Sequence, residues 1–409
     1  MNADATIPGG VRGGHGGDGG DGIVTFSSGT GGGGGGGGGC AARVMPGALL
    51  AVGADAVVAG GDGGRIVMAP LAAPGGSGGG GAAVVIGDAT LVNAGIVAGG
   101  NGGRGRGSYF SGNGGVGILS TGGSTLITSG RVEGGRRDDD GVLTARAEAV
   151  TLRGGGNRLV LEPGAGFEGI VSSASAGSVP DRLVLGGEDD GYFDLSQVGA
   201  YVAGSSARFQ GFGTFEKSGA GTWTLAGNGT PGAFGIAQAW HVASGSLVLE
   251  STLPPEGPGR DGALRIEDGA ILAGTGESWP LTLEAGGTLS PGTAQAPYAT
   301  LSIAGDAGLE PGSVLRIRSD GVGQCSRLAV DGELAIGTAL EVRFDAEPAV
   351  GMSCTIATSA ARSGAFAAIE AGAIAVEVAY GATTTTIVVV EGEVDTVFAD
   401  GFEARQRLR

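Results

Sequence analysis

The chain has 409 residues, of which 92 are glycine while only 12 are phenylalanine and 3 are tryptophan, so a globular core built on aromatic side chains is excluded. The 41 acidic residues outnumber the 24 basic ones and give a net charge of -17. A field of that sign repels nucleic acid and anionic lipid headgroups, which excludes both as principal partners; acidity of this size is also an ordinary solubility device.

In chain order, residues 1–22 contain no basic stretch followed by an apolar one, so no Sec-type signal peptide is read here. The segment 16–24, GGDGGDGIV, fits the nonapeptide of calcium-binding β-rolls, with Asp18 and Asp21 as the oxygen donors. Such a roll needs contiguous copies, and the related phrases carry Arg65 and Arg104 where aspartate is required, so an accidental match is favoured and no metal site is expected. The glycine runs 31–39 and 75–81 read as disordered loops, the first ending at Cys40.

The phrase at 57–65, VVAGGDGGR, returns at 96–104 as IVAGGNGGR and more loosely at 131–137. Gly60, Gly99 and Gly134 stand at similar but unequal spacings. That irregularity suits stacked coils whose strands stay in register while their outward loops vary. Residues 1–135 therefore read as a glycine-rich repeat region of early or irregular coils.

From 136 to 390 the strands are better formed. Leu247 and Leu249, Leu264 and Ile266, Leu281 and Leu283, Leu301 and Ile303, and Leu315 and Ile317 are i, i+2 pairs separated by glycine-containing turns. Each pair sends one apolar stripe to one side, and small aliphatic side chains suffice to fill the thin rungs of a solenoid. The expected fold is all-β, a parallel β-solenoid with a partly disordered glycine-rich N-terminal region. No stretch is apolar and long enough to span a bilayer as a helix.

Few constellations carry chemistry. His15 and His241 are the only histidines, no Cys/His spacing suits zinc, and no GxSxG elbow or P-loop is present. His241 alternates against Trp240, so if Trp240 packs inward His241 is exposed. The carboxylates at 138–140 and 188–190 are contiguous, as in solvated turns. An enzymatic reading would need carboxylates from separate coils, such as Asp181, Asp189 and Glu216, to converge in one groove. Trp223, Trp240, Phe212 and Phe215 read as packing residues ahead of sugar-stacking platforms. Cys325 and Cys354 lie near strand starts, where neighbouring coils bring Cα atoms within disulfide reach; a bridge and two small buried thiols remain equal alternatives. Lys217 is the sole lysine.

The run 215–225, FEKSGAGTWTL, resembles the passenger-associated repeat of bacterial autotransporters, carried by Phe215, Lys217, Gly219, Gly221, Trp223 and Leu225. Trp240 continues the resemblance, as do Gly287, Pro291 and Gly292 in GGTLSPG. The resemblance implies a right-handed parallel β-helix displayed on, or released from, the outer membrane of a Gram-negative cell. It implies an architecture and an address, with no cofactor and no catalytic residues. The expected work is that of a structural stalk or adhesin with a protein or glycan surface ligand, the alternative being a secreted polysaccharide-degrading or polysaccharide-binding β-helix. Residues 391–409 form a flexible tail with an FADGFE phrase in place of the family's translocator barrel, and with no signal peptide at its start the chain reads as a fragment or as one begun at a wrongly assigned start codon.

Overall fold

Alternation of apolar and polar residues makes the strands, and the computed structural model stacks them in parallel. It describes residues 4–19, 24–25, 28–29, 34–65, 76–105, 111–174, 179–202, 205–227, 239–251 and 263–391; for 24–25, 28–29 and 239 only the backbone is described. The apolar pairs named above all point inward, none more than 3% exposed. Parallel pairing keeps equivalent side chains over one another, as in the column Trp223, Leu247, Leu272, Leu289, Leu315 and Leu340. One apolar core results, reaching from Ile7 to Ile387. It passes the expected boundary at 135 without interruption.

The cross-section changes along the stack. Early coils have three sides: a strand of the long 17-stranded sheet, one of a five-stranded sheet ending at Gly166–Glu168, and one of a seven-stranded sheet. Later coils have two, with an eight-stranded sheet from Gly191–Asp194 to Ala368–Glu370 facing the long one. Aromatic rings fill the corner where the third side is lost. Phe209 packs edge-on against Phe167 at 5.5 Å and tilted against Phe193 at 5.4 Å. At the far end the parallel order stops, because Thr384–Val389 pairs antiparallel with both Ser353–Gly364 and Val376–Tyr380.

The glycine runs differ from expectation. Residues 34–39 and 76–81, expected as disordered loops, are hydrogen-bonded chains in a two-layer slab projecting from the first coils; residues 31–33 and 75 lie outside the described residues. In the layer that leaves the solenoid, Gly13, Gly16 and Gly19 donate to the carbonyls of Ala59, Asp62 and Arg65, each at 2.9 Å. In the returning layer Gly35 and Gly38 donate to Gly76 and Gly79, at 2.9 and 2.8 Å. The layers join antiparallel: Gly36 donates to Gly17 at 2.7 Å and Gly39 to Gly14 at 2.8 Å. Bonding every third residue between extended chains is the periodicity of polyproline II, with three residues per turn.

Chains this close leave no room for Cβ atoms inside the slab. A Cβ at Gly100 would lie 2.0 Å from the Gly61 carbonyl oxygen, and one at Gly103 1.9 Å from that of Gly64. Side chains survive at the outward third position of the outgoing layer, where they bond the next coil. The Asp18, Asp62 and Asn101 side chains accept from the amides of Arg65, Asn101 and Arg136, each at 2.8 Å. The reason the runs are ordered is therefore backbone pairing, for which the absence of side chains is the requirement.

Cys325 and Cys354 are joined as a disulfide with Cα atoms 6.1 Å apart, tying a turn of the two-sided region to the first strand of the antiparallel end. The bridge closes a loop with a sequence separation of 29. Replacing both residues with alanine is expected to lower stability by about 2–3 kcal/mol through the regained freedom of the unfolded loop. Urea unfolding checks this, and equal midpoints for the two proteins would contradict it.

Candidate functional site

The residues of the 215–225 run build a coil. Phe215 and Trp240 are register partners on the long sheet, fully buried, their rings stacked at 4.9 Å. Trp223 is buried and its Nε1 donates to the Gly186 carbonyl at 2.9 Å; Leu225 and Phe212 are buried too. The aromatic residues weighed as sugar platforms thus face the core. Gly219 turns the chain at φ +77°, and a Cβ at Gly221 would lie 2.1 Å from the Asp189 carbonyl oxygen. Pro291 ends the strand Thr288–Pro291 and is followed directly by Gly292, which exchanges hydrogen bonds with Gly274 at 2.7 and 3.0 Å; Gly287 stands one residue before that strand.

Lys217 is the exception in chemistry. It occupies an apolar column between Leu185 and Val242 and is fully buried. Its Nζ spends all three donors on main-chain carbonyls: Ser218 at 2.9 Å, Gly219 at 2.8 Å and Ser244 at 3.0 Å. Burial pushes the ammonium down to about 8, against a smaller opposing pull from the Glu188 carboxylate. The three carbonyls also favour the charged form. With every donor engaged, Lys217 clamps two successive turns together.

The carboxylates proposed for an enzyme do not converge. Asp181 is buried and accepts from the Asn157 amide and side chain and from Ser173 Oγ, at 2.8–2.9 Å. Glu216 lies on the outer face of the long sheet, where Arg158 and Arg182 each bond one of its oxygens at 2.7 Å. Burial pushes the Glu216 carboxyl up, but the hydrogen bonds from the two guanidinium groups outweigh it and hold the acid below its ordinary range. Asp189 is an exposed turn residue. None of the three lines any of the cavities described here. The clamp on Glu216 escapes sequence reading because its two arginines stand 58 and 34 residues away.

Among the described residues no group of three His, Cys, Asp or Glu side chains is placed to hold a metal ion. Asp18 is engaged with the Arg65 amide, and Asp21 lies outside the described residues. His241 is half-buried on the outer face, its Nδ1 3.5 Å from the Glu267 carboxylate. His15 is exposed beside Asp62. No described helix is long and apolar enough to cross a membrane, which leaves membrane β-barrels unaddressed. The 398–403 phrase lies outside the described residues.

The concave surface lies elsewhere, on the outer face of the eight-stranded sheet. Register aligns Tyr192, Thr224, Val248, Ala273 and Ser290 in one outward row across five coils. This row floors an open trough of about 750 Å³. Asp190, Glu250 and Arg318 border it. A second cavity of about 480 Å³ adjoins it at the change of cross-section, sharing Asp190 and Tyr192 and adding Gln197 and Arg208. Tyr192 is 64% exposed, on the lip of both. Arg318 is held by two bonds to Asp345 at 2.9 and 3.0 Å, and Tyr298 donates to the same carboxylate at 2.7 Å. The hydrogen bonds from Arg318 and Tyr298 hold the Asp345 acid below its ordinary range. Arg318 and Asp345 are thus held as a fixed ion pair and Tyr298 as a neutral donor, an arrangement suited to contact and unsuited to proton transfer. Tyr192 stands in the alternating phrase GYFD, the only sequence signal for this face, and sequence reading passed over it.

Fold and surface together define a parallel β-solenoid whose largest described concavity lies open on the outer face of the eight-stranded sheet. No family model matches the chain, and no curated protein is similar to it in sequence. Among solved structures the chain is similar to the autotransporter UpaB from E. coli strain CFT073, at 12% identity over 96% of this chain and 91% of that one, with a TM-score of 0.31.

Proposed function

We propose that this chain is a passenger-type solenoid of the autotransporter class, extracellular or at the surface of a Gram-negative cell, working as a rigid, non-enzymatic spacer that presents a contact face. The observation that carries the reading is the single apolar core from Ile7 to Ile387 with in-register parallel pairing through two different cross-sections. Such a stack holds its length without needing a catalytic centre, and each coil adds about 4.8 Å. The 215–225 resemblance supports the address.

The trough favours adhesion over a bare stalk, with a polysaccharide or an extended peptide as the surface ligand. An exposed tyrosine and fixed charges along five coils suit repeated weak contacts whose sum is set by valency. Beads coated with the full chain are expected to adhere to polysaccharide- or matrix-coated surfaces more steeply than in proportion to coating density. Tyr192→Ala together with Thr224→Lys should remove most of that adhesion. If parent and variant beads are retained no better than bare beads, the adhesive reading falls and the spacer alone stands.

A further inference from the structure

The trough and the cavity beside it select among surface ligands, given the contact-face reading above, on which this inference rests. The row from Tyr192 to Ser290 repeats once per coil, about every 4.8 Å along the solenoid axis. A ligand lying along the row meets the same kind of contact on each coil when its own repeat matches that step. An extended peptide presents a side chain to one face every second residue, roughly every 6.7 Å, and does not match. An extended chain of 1,4-linked pyranose rings advances close to one ring per strand spacing and keeps step with the coils.

Charge points the same way. The floor from Thr224 to Ser290 is uncharged, and so is the row two residues earlier on the same face, Thr222, Ser246, Ile271 and Thr288. At the borders Glu162, Asp190, Asp194 and Glu250 have no basic partner among the described residues, so an anionic polymer is repelled. Inside the smaller cavity both signs converge. The Thr222 and Ser196 amides hold one oxygen each of Asp190 and Asp194, at 2.8 and 2.9 Å, leaving the other oxygen without a hydrogen bond among the described residues. Arg208 Nη1 donates to the Phe167 carbonyl; its remaining donors and the Gln197 amide have no partner among the described residues. Hydroxyl groups both donate and accept and satisfy such a mixture, as a ligand of a single charge does not. Tyr192, exposed on the lip, offers its ring to the apolar C–H face of a sugar.

We propose that the trough binds an uncharged, extended 1,4-linked polysaccharide along the solenoid axis, one ring per coil, with the terminal ring in the cavity of about 480 Å³ beyond Tyr192.

Titration calorimetry of the full chain with oligosaccharides of β-1,4-glucan and β-1,4-mannan tests this. For at least one series, affinity is expected to rise about tenfold or more from disaccharide to hexasaccharide, the span of five coils and the cavity. Heparin, an anionic polysaccharide, should not compete. Gln197→Ala should weaken every oligosaccharide of that series about fivefold or more. Ala273→Glu, which raises a charged side chain from the floor three coils beyond Tyr192, should leave the disaccharide unchanged and remove most of the gain with length. Failure of both hexasaccharides to bind at about 10 mM, equal affinity at all lengths, or displacement by heparin would overturn the proposal. Beads that adhere to matrix protein while no oligosaccharide binds would sink this inference and leave the contact face standing. Oligosaccharide binding in solution without bead adhesion would do the reverse.

Discussion

Replacing Lys217 with methionine is expected to destabilise the fold by about 3–5 kcal/mol, although methionine matches the apolar column better than lysine does. Leu185 and Val242 above and below would accept the thioether without strain. The loss comes from the other end of the side chain. The carbonyls of Ser218, Gly219 and Ser244 converge on Nζ, and Gly245 leaves the space through which it passes, a Cβ there lying 2.7 Å from Nζ. Methionine would leave the Ser218 and Ser244 carbonyls without a donor and Gly219 with only the Ser244 hydroxyl at 3.4 Å, each orphaned acceptor costing about 1–3 kcal/mol if water cannot enter. Urea unfolding of parent and Lys217→Met measures the difference; a change below about 1 kcal/mol would mean that water replaces the ammonium.

The same residue gives a pH signature. Its folded value of about 8 is below the ordinary 10.5, so between these values the unfolded chain binds more protons than the folded one. Stability must then rise with pH across that window as the folded chain sheds the buried charge, and the full cost of that charge is present below it. Lys217→Met should abolish the rise. A rise of equal slope in the variant would assign it to another group.

The double substitution Gly100→Ala, Gly103→Ala is expected to cost about 3–6 kcal/mol, two overpacking penalties in a rigid backbone array. Methyl groups there cannot rotate away, because what they meet is the Gly61 and Gly64 main chain. Separating the chains also breaks the bonds from Gly100 to Gly81, at 2.9 Å, and from Gly103 to Gly78, at 2.7 Å. Hydrogen exchange should report the loss first at Gly60, Gly63, Gly112 and Gly115, with the later coils from 239 onward protected as before. Were 34–39 and 76–81 loose loops, the double variant would match the parent in melting temperature and in exchange.

Much of the later solenoid was legible in the sequence for a simple reason. Whether Leu247 or Leu283 faces inward is decided by that side chain and its two neighbours, so strand and face are local properties. Negative charge and scarce aromatics are likewise local sums, and they bound the architecture before any contact is known. The column holding Lys217, the arginine clamp on Glu216, the separation of Asp181 from Asp189 and the trough floored by Tyr192 and Ser290 depend on which residues of distant coils share a level. Register alone decides that. The glycine slab was hidden most completely, because Gly36, Gly61 and Gly100 announce nothing by their side chains: their meaning is the space they leave, and only the backbone of another coil, brought against them by the tertiary fold, shows that the space is filled.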